Sequence, residues 1–290
     1  MSWTLEGKTC LVTGATSGIG QETAIGLASE GAHVVIAGRD PARAYAARED
    51  VVRNSGNDRV DTLLADLSSL AGVRKLADAF LSNHGALHVL VNNAGIVNLR
   101  REVTEDGFEA TFAVNHLAYF LLTRLLETRL RQSAPARVVN VASDAHRFGR
   151  LDLGDLQSER GYGGIPLLSS MRVYGTSKLA NILFTRELAR RLAGSGVTAN
   201  CVHPGPVATR LGTNNGTAGR VVTALLRPFF LTPAQGAETS IFVASAPVLE
   251  GVSGAYFAKK RQLAPSAAAR DDDTARALWE ASSRLVGLEA

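Results

Sequence analysis

Tyr174 and Lys178 stand four positions apart in "YGTSKLANILF", a stretch with helical periodicity, so both side chains leave the same face of one helix. A phenol titrating near pH ~10 is a poor acid–base catalyst at neutral pH. An adjacent ammonium favours its ionised form and moves it toward the working range. Such a pair can pass a proton to or from an oxygen. Taken alone, the same spacing is also what an exposed amphipathic helix shows. Two more residues make the coincidence informative: Asn115, inside another helix-like segment, and Ser143, at the end of the apolar run "RVVNVAS". Each is ordinary by itself, a helix polar residue and a strand-end serine.

Positioning these four side chains requires a scaffold, and the apolar runs supply one. "TCLVTG", "HVVIAG", "VDTLLAD", "LHVLVNNAG", "RVVNVAS", "VTANCVHPG" and "GAYFA" have strand length, and most are separated by segments with helical periodicity. Helices are predicted at Gly20 to Ser29, Pro41 to Asn54, Leu70 to Leu81, Glu109 to Arg131, Tyr174 to Ala193 and Thr274 to Leu285. Nearly unbroken apolar strands suit a parallel sheet covered on both faces. With no repeat, linker or composition break, residues 1–290 read as one α/β domain, a doubly wound parallel sheet of about seven strands of the Rossmann type.

"TGATSGIG" places Gly14, Gly18 and Gly20 between the first strand and the first helix, where the backbone turns tightly and side chains would block a close approach. Backbone N–H groups and the positive end of the helix dipole then favour a pyrophosphate. A tight βα connection with no ligand is the plain alternative.

Composition limits the other options. The chain has 290 residues, 46% hydrophobic and 20% charged, and 31 Lys+Arg against 27 Asp+Glu give a formal charge of only +4. The basic residues are scattered, which argues against a nucleic-acid surface. Cys10 and Cys201 sit in apolar runs without metal-ligand spacing. Of the histidines, His84 and His88 are four apart, but Gly85 and the approaching strand separate them, so no metal is expected. The start of the chain lacks the features of a signal peptide and no run reaches the roughly 20 apolar residues of a membrane span. A cytoplasmic location is expected.

The spacing Gly-x-x-x-Gly-x-Gly, with "DL" at Asp66 and Leu67, "NNAG" at Asn92 to Gly95, Asn115, Ser143, "YGTSK" at Tyr174 to Lys178 and "HPGPVATRL" at His203 to Leu211, resembles the short-chain dehydrogenase/reductase family. The resemblance runs from about Leu5 to Leu288. It is greatest to the retinol-dehydrogenase-like branch, through "SDAHRFG", "SKLANILF" and "LWEASSRLVGL". It implies an oxidoreductase that moves a hydride between a nicotinamide cofactor and a carbonyl or alcohol. Tyr174 would be the acid/base, its phenolate further favoured by an oxidised nicotinamide. Lys178 would also hold the ribose, Ser143 the substrate oxygen, and Asn115 a water in a proton relay. Gly14, Ser17, Gly18, Ile19, Gly20, Asp66, Leu67, Asn93, Ala94 and Gly95 would contact the cofactor, with Pro204, Val207 and Thr209 at its nicotinamide end. His203 reads as structural.

The choice of cofactor turns on Gly38, Arg39 and Asp40. An acid near the end of the second strand binds the ribose of NAD, and a cation pairs the 2′-phosphate of NADP. Asp40 lies near the expected distance, but "DP" fits an N-cap followed by proline, and similar NAD-using members carry their acid where this chain has Gly38. Arg39 is therefore expected to select NADP, with NAD left open.

Ser143 and Tyr174 are 31 positions apart, more than usual in the resembled family, and Asp144 to Val173 reads as a segment near the substrate. "RLGTNNGTAGRVVTALLRPFFLTP", Arg210 to Pro233, reads as a lid whose apolar half suits a lipophilic substrate, or as a buried helix and turn. The rival functions are a catalytically silent dinucleotide sensor or scaffold, and a narrowly specific biosynthetic ketoreductase. A homo-oligomer assembled through the two long helices is expected.

Overall fold

The structure is a computed structural model and describes residues 3–207 and 231–289. Its sheet holds eight strands in the order β3-β2-β1-β4-β5-β6-β7-β8. They are β1 (Thr9–Thr13), β2 (His33–Gly38), β3 (Val60–Leu64), β4 (Val89–Asn92), β5 (Ala136–Val141), β6 (Val197–His203), β7 (Tyr256–Ala258) and β8 (Arg261–Leu263). The first seven are parallel and β8 returns antiparallel to β7. The strand order reverses between β1 and β4, and in such sheets the crevice at the carboxyl ends of the strands at this switch receives the ligand.

Each face of the sheet carries its own core. One packs around Leu27, Ile36, Val91 and Val243, under α1 (Gly18–Ser29), α2 (Pro41–Ser55) and a helix at Pro233–Ser245. The other, around Phe80, Leu90, Phe120, Phe184 and Trp279, lies under α3 (Leu70–Asn83), α4 (Ala110–Phe112), α5 (Ala118–Gln132), α6 (Pro166–Arg191) and the C-terminal helix. In chain order the last two helices are α7 (Pro233–Ser245) and α8 (Asp272–Leu285).

Several boundaries differ from the sequence expectations, each for a local reason. The helix expected over Glu109 to Arg131 is interrupted by a π turn, Ala113–Leu117, between α4 and α5. Glu109 is not its first residue but its N-cap, the buried carboxylate accepting hydrogen bonds from the Thr111 and Phe112 amides at 2.8 and 2.7 Å. The helix carrying Tyr174 begins at Pro166 rather than Tyr174, so the last part of the Asp144 to Val173 segment forms its first two turns. Helix α7 escaped the periodicity reading because its buried side is made mostly of small or polar residues, Gly236, Ala237, Thr239 and Ser240 among them. Its signal was local: Thr232, Pro233 and Gln235 form a capping box. Strand β8 was missed because its turn is made by Lys259 and Lys260, both with positive φ, in place of the usual Asn and Gly.

Helix α8 closes the second core. Trp279 packs edge-on to Phe120 at 4.9 Å and stacks on Phe184 at 5.9 Å, and Ser282 hydrogen-bonds His116 at 2.8 Å. It thus lies across α5 and α6, the two long helices through which assembly was expected.

Candidate active site

The ends of β1, β4 and β5 open onto one cleft of about 790 Å³, lined by Gly14, Ser17, Ile19, Arg39, Asn93, Ser143, Tyr174, Lys178 and Val207 among others. Its floor is the glycine turn. Gly14 and Gly18 have φ of 63° and 60°, the left-handed region that glycine adopts without strain. A Cβ on Gly14 would lie 2.7 Å from the Ala94 Cα, and one on Gly20 would lie 2.4 Å from the Gly14 carbonyl oxygen and from Asn93 Nδ2. Ser17 is the N-cap of α1 but makes no side-chain capping bond, so its hydroxyl and the first amides of α1 face the cleft together. This cradle fits a dinucleotide pyrophosphate.

Behind it, Thr13 Oγ1 accepts from the amides of Asn93 and Ala94 at 2.9 and 3.2 Å, and Asn93 Nδ2 donates to the carbonyls of Thr13 and Gly14 at 2.9 and 3.3 Å. The Asn93 side chain therefore ties β4 to the glycine turn, and Ala94 and Gly95 form the surface beside it. Asp66 lines the cleft as expected, although one carboxylate oxygen accepts from Ser68 N and Oγ within its own turn. Leu67 and Pro204 also line the cleft, and Thr209 lies outside the described residues.

At the end of β2, a Cβ on Gly38 would stand 2.3 Å from Thr16 Cγ2. The position therefore has no room for an acid while Thr16 keeps its place. Asp40 caps α2, its carboxylate accepting from the Arg43 amide at 2.8 Å. Arg39 is exposed on the cleft wall, and Arg43, which sequence reasoning did not single out, lines the same wall. Its signal was one helical turn of spacing from the N-cap.

On the opposite wall, Tyr174 and Lys178 sit on α6 and Ser143 follows β5. Burial pushes the Tyr174 phenol up to about 12, with a hydrogen bond from Ser143 acting in the other direction. Sequence reasoning expected an ammonium-lowered phenol. In the chain without cofactor, burial moves the phenol the other way, and it stays protonated at neutral pH, as a free phenol also is. Lys178, 3% exposed, is pushed down to about 8 by burial; its Nζ donates to the Val141 carbonyl at 2.9 Å and lies 5.7 Å from the Tyr174 ring centre.

Asn115 sits in the π turn, a feature common at functional sites. Its Oδ1 accepts from Ile96 N at 2.8 Å, and its Nδ2 donates to Ile96 O and Ser177 Oγ at 3.0 Å. Both amide protons are used, so the side chain offers a water only an acceptor. A Cβ on Gly95 would be 3.4 Å from this Oδ1 and 3.6 Å from Lys178 Nζ, so the two groups converge on one spot.

The loop carrying Ser143 is fixed from two sides. A Cβ on Gly175 would be 2.4 Å from the Ala145 carbonyl oxygen, so the residue next to Tyr174 lets α6 and the Ser143 loop touch through backbone. His146, which sequence reasoning passed over, is 1% exposed. Its Nε2 accepts from Ser266 N at 3.1 Å, so its Nδ1–H donates to the Ser143 carbonyl at 2.8 Å. Burial lowers its pKa and keeps this neutral tautomer. His146→Ala is expected to lower kcat by about 10- to 100-fold through a displaced Ser143, with NADPH affinity nearly unchanged. Equal turnover in steady-state assays would show that the loop holds without it. His203 is structural as expected, its Nδ1 accepting from the Asp144 and Gly205 amides at 3.1 and 3.4 Å.

Comparison with known proteins agrees with this geometry. The short chain dehydrogenase profile matches residues 8–153 and 162–218. Retinol dehydrogenase 12 of Mus musculus is 45% identical, over 98% of this chain and 88% of its own. Among solved structures, an uncharacterised protein of Mycobacterium Paratuberculosis superposes with a TM-score of 0.77 at 34% identity, covering 100% of this chain and 99% of that one. The Pseudomonas aeruginosa RhlG/NADP active-site complex gives 0.66 at 30% identity, covering 88% and 95%. With a glycine cradle, a buried tyrosine–lysine pair and full-length relatives of this kind, the chain belongs to the short-chain dehydrogenase family, in its retinol-dehydrogenase-like branch, as an NAD(P)-binding oxidoreductase acting on alcohols and carbonyls.

Proposed function

We propose that this protein is an NADP(H)-preferring, cytoplasmic oxidoreductase that interconverts a lipophilic carbonyl compound and its alcohol. The observation that carries the cofactor preference is the pairing of Gly38 with Arg39. Thr16 leaves no room for an acid at the end of β2, and the next side chain on the cleft wall is a cation, with Arg43 beyond it. A guanidinium pairs a phosphate through two parallel hydrogen bonds, which the hydroxyl of NAD cannot match. The NADP complex of the similar RhlG agrees with this reading.

When bound, the nicotinamide supplies or accepts the hydride. Ser143 donates a hydrogen bond to the substrate oxygen. Tyr174, held as the neutral phenol by burial, delivers its proton to that oxygen during reduction and takes it back during oxidation. Lys178, as the ammonium, holds the ribose and favours the phenolate left after proton transfer. Asn115 accepts from a water that returns the proton. Apolar Ile96, Val103, Val114 and Met171 line the cleft outside this group, which suits a lipophilic substrate. The retinol dehydrogenases among the relatives are named for such a substrate.

Arg39→Asp tests the cofactor assignment, because it turns an attraction to the 2′-phosphate into a repulsion. NADPH affinity is expected to fall about 100-fold or more, with NADH affinity little changed, roughly 3 kcal/mol of charge-assisted bonding. Equal losses for both cofactors in fluorescence titrations would remove Arg39 from phosphate recognition.

A further inference from the structure

The amino-terminal edge of the sheet, opposite the cleft, gathers three groups that the oxidoreductase site does not use. His33 opens β2, Asp61 is the second residue of β3, and His84 is the C-cap of α3. The three are separated in sequence, and only the parallel pairing of β2 with β3 and the return of α3 bring them together. His33 Nε2 lies 2.7 Å from Asp61 Oδ2, and the His33 and His84 rings meet edge-on with centres 5.3 Å apart. One ligand atom from each residue lies within 4.8 Å of the others.

We propose that His33, Asp61 and His84 form a binding site for a divalent transition-metal ion of the zinc type. Two imidazoles and one carboxylate are a recurring donor set for such ions, which take three protein ligands and a water in tetrahedral geometry. Ligand atoms on a tetrahedral ion with bonds of about 2.0–2.1 Å stand roughly 3.3 Å apart. The His33–Asp61 pair, at 2.7 Å, must therefore open by about 0.6 Å, and any wider pair, up to 4.8 Å, must close toward that spacing. The side chains of His33 and Asp61, 31% and 52% exposed, can shift to reach it. His84, at 8% exposure, is the fixed point, its ring packed on Phe80 at 4.8 Å. The neighbouring cation, Arg129, donates to the backbone carbonyl of His84 and leaves the ring nitrogens to the ion. The bound ion would clamp the edge strand β3 to β2 and to the end of α3. Sequence reasoning found no convincing metal pair among the six histidines, weighing His84 with His88 by their spacing along the chain, which does not show the neighbours that the sheet brings to His84. His88 instead accepts from the Thr9 amide at 3.0 Å and holds β1.

The test uses untagged full-length protein stripped with chelator and titrated with zinc chloride. Calorimetry is expected to show one equivalent bound, and thermal unfolding to shift upward with zinc because the ion binds the folded state. Co(II) in place of zinc is expected to give the intense visible spectrum of a tetrahedral site. Asp61→Asn and His84→Gln are expected to weaken binding by about tenfold or more and to abolish the zinc-dependent thermal shift. His88→Gln is expected to keep both. NADPH binding, remote from this edge, reports that each variant is folded. No saturable binding by the parent, or binding that survives both Asp61→Asn and His84→Gln, overturns the site.

Discussion

Tyr174→Phe is expected to reduce turnover by about 10²- to 10⁴-fold while NADPH binds nearly as before. The substitution removes one oxygen from a ring that is 8% exposed and keeps its packing on α6. The lost group is the one whose proton the reaction moves. Ser143 remains to bind the substrate oxygen, and Lys178 remains on the Val141 carbonyl, so neither binding determinant is withdrawn. Any residual rate would reflect proton delivery from water along the path that Asn115 borders. Single-turnover measurement of NADPH oxidation, with a separate binding titration, separates the two effects. Turnover within about threefold of the parent would remove Tyr174 from the proton transfer.

Gly20→Ala is expected to act on the other half of the reaction. Its new methyl would meet the Gly14 carbonyl oxygen, which is backbone and cannot rotate away, as well as Asn93 Nδ2. Asn93 is the brace between β4 and the glycine turn, so the clash propagates into the cradle. Overpacking of this kind costs about 1–3 kcal/mol, which corresponds to NADPH affinity weakened roughly 10- to 100-fold. Turnover at saturating cofactor should fall much less, because Tyr174 and Ser143 stand on the opposite wall. Gly85→Ala is the control, since a Cβ there meets nothing within 4 Å. Undiminished affinity in Gly20→Ala would mean that the pyrophosphate does not depend on this turn.

The sheet was legible because parallel strands buried on both faces must be almost wholly apolar. The glycine turn was legible because close backbone approach leaves no choice of residue. The cluster of Tyr174, Lys178 and Ser143 could be anticipated only through the order of motifs along the chain. What remained hidden was relational. His146 is one histidine among six until the fold sets Ser143 on one ring nitrogen and Ser266 on the other. The exclusion of an acid at Gly38 depends on the Thr16 methyl, 22 positions earlier and on another loop. The upward shift of the Tyr174 phenol likewise follows from burial, which no spacing of Tyr and Lys reveals. The start of α6 was misjudged because Pro166 to Val173 presents apolar residues outward: Leu167 and Leu168 are 54% and 65% exposed, so the usual inward stripe is missing there.

The placement of α8 decides what a second copy of the chain would meet at the two long helices. Trp279 fills the trough between Phe120 and Phe184, so the rings along α5 and α6 are already dry within a single copy. A second molecule approaching these helices meets the charged outer side of α8 first, where Asp273 and Arg276 pair with each other and Asp272 pairs with Arg186. Among the described residues the sheet ends in two margins, β3 and β8, and the Arg261, Gln262 and Leu263 of β8 are all exposed. A second copy paired along β8 would bring like Arg261 charges near one another, a repulsion that salt screens.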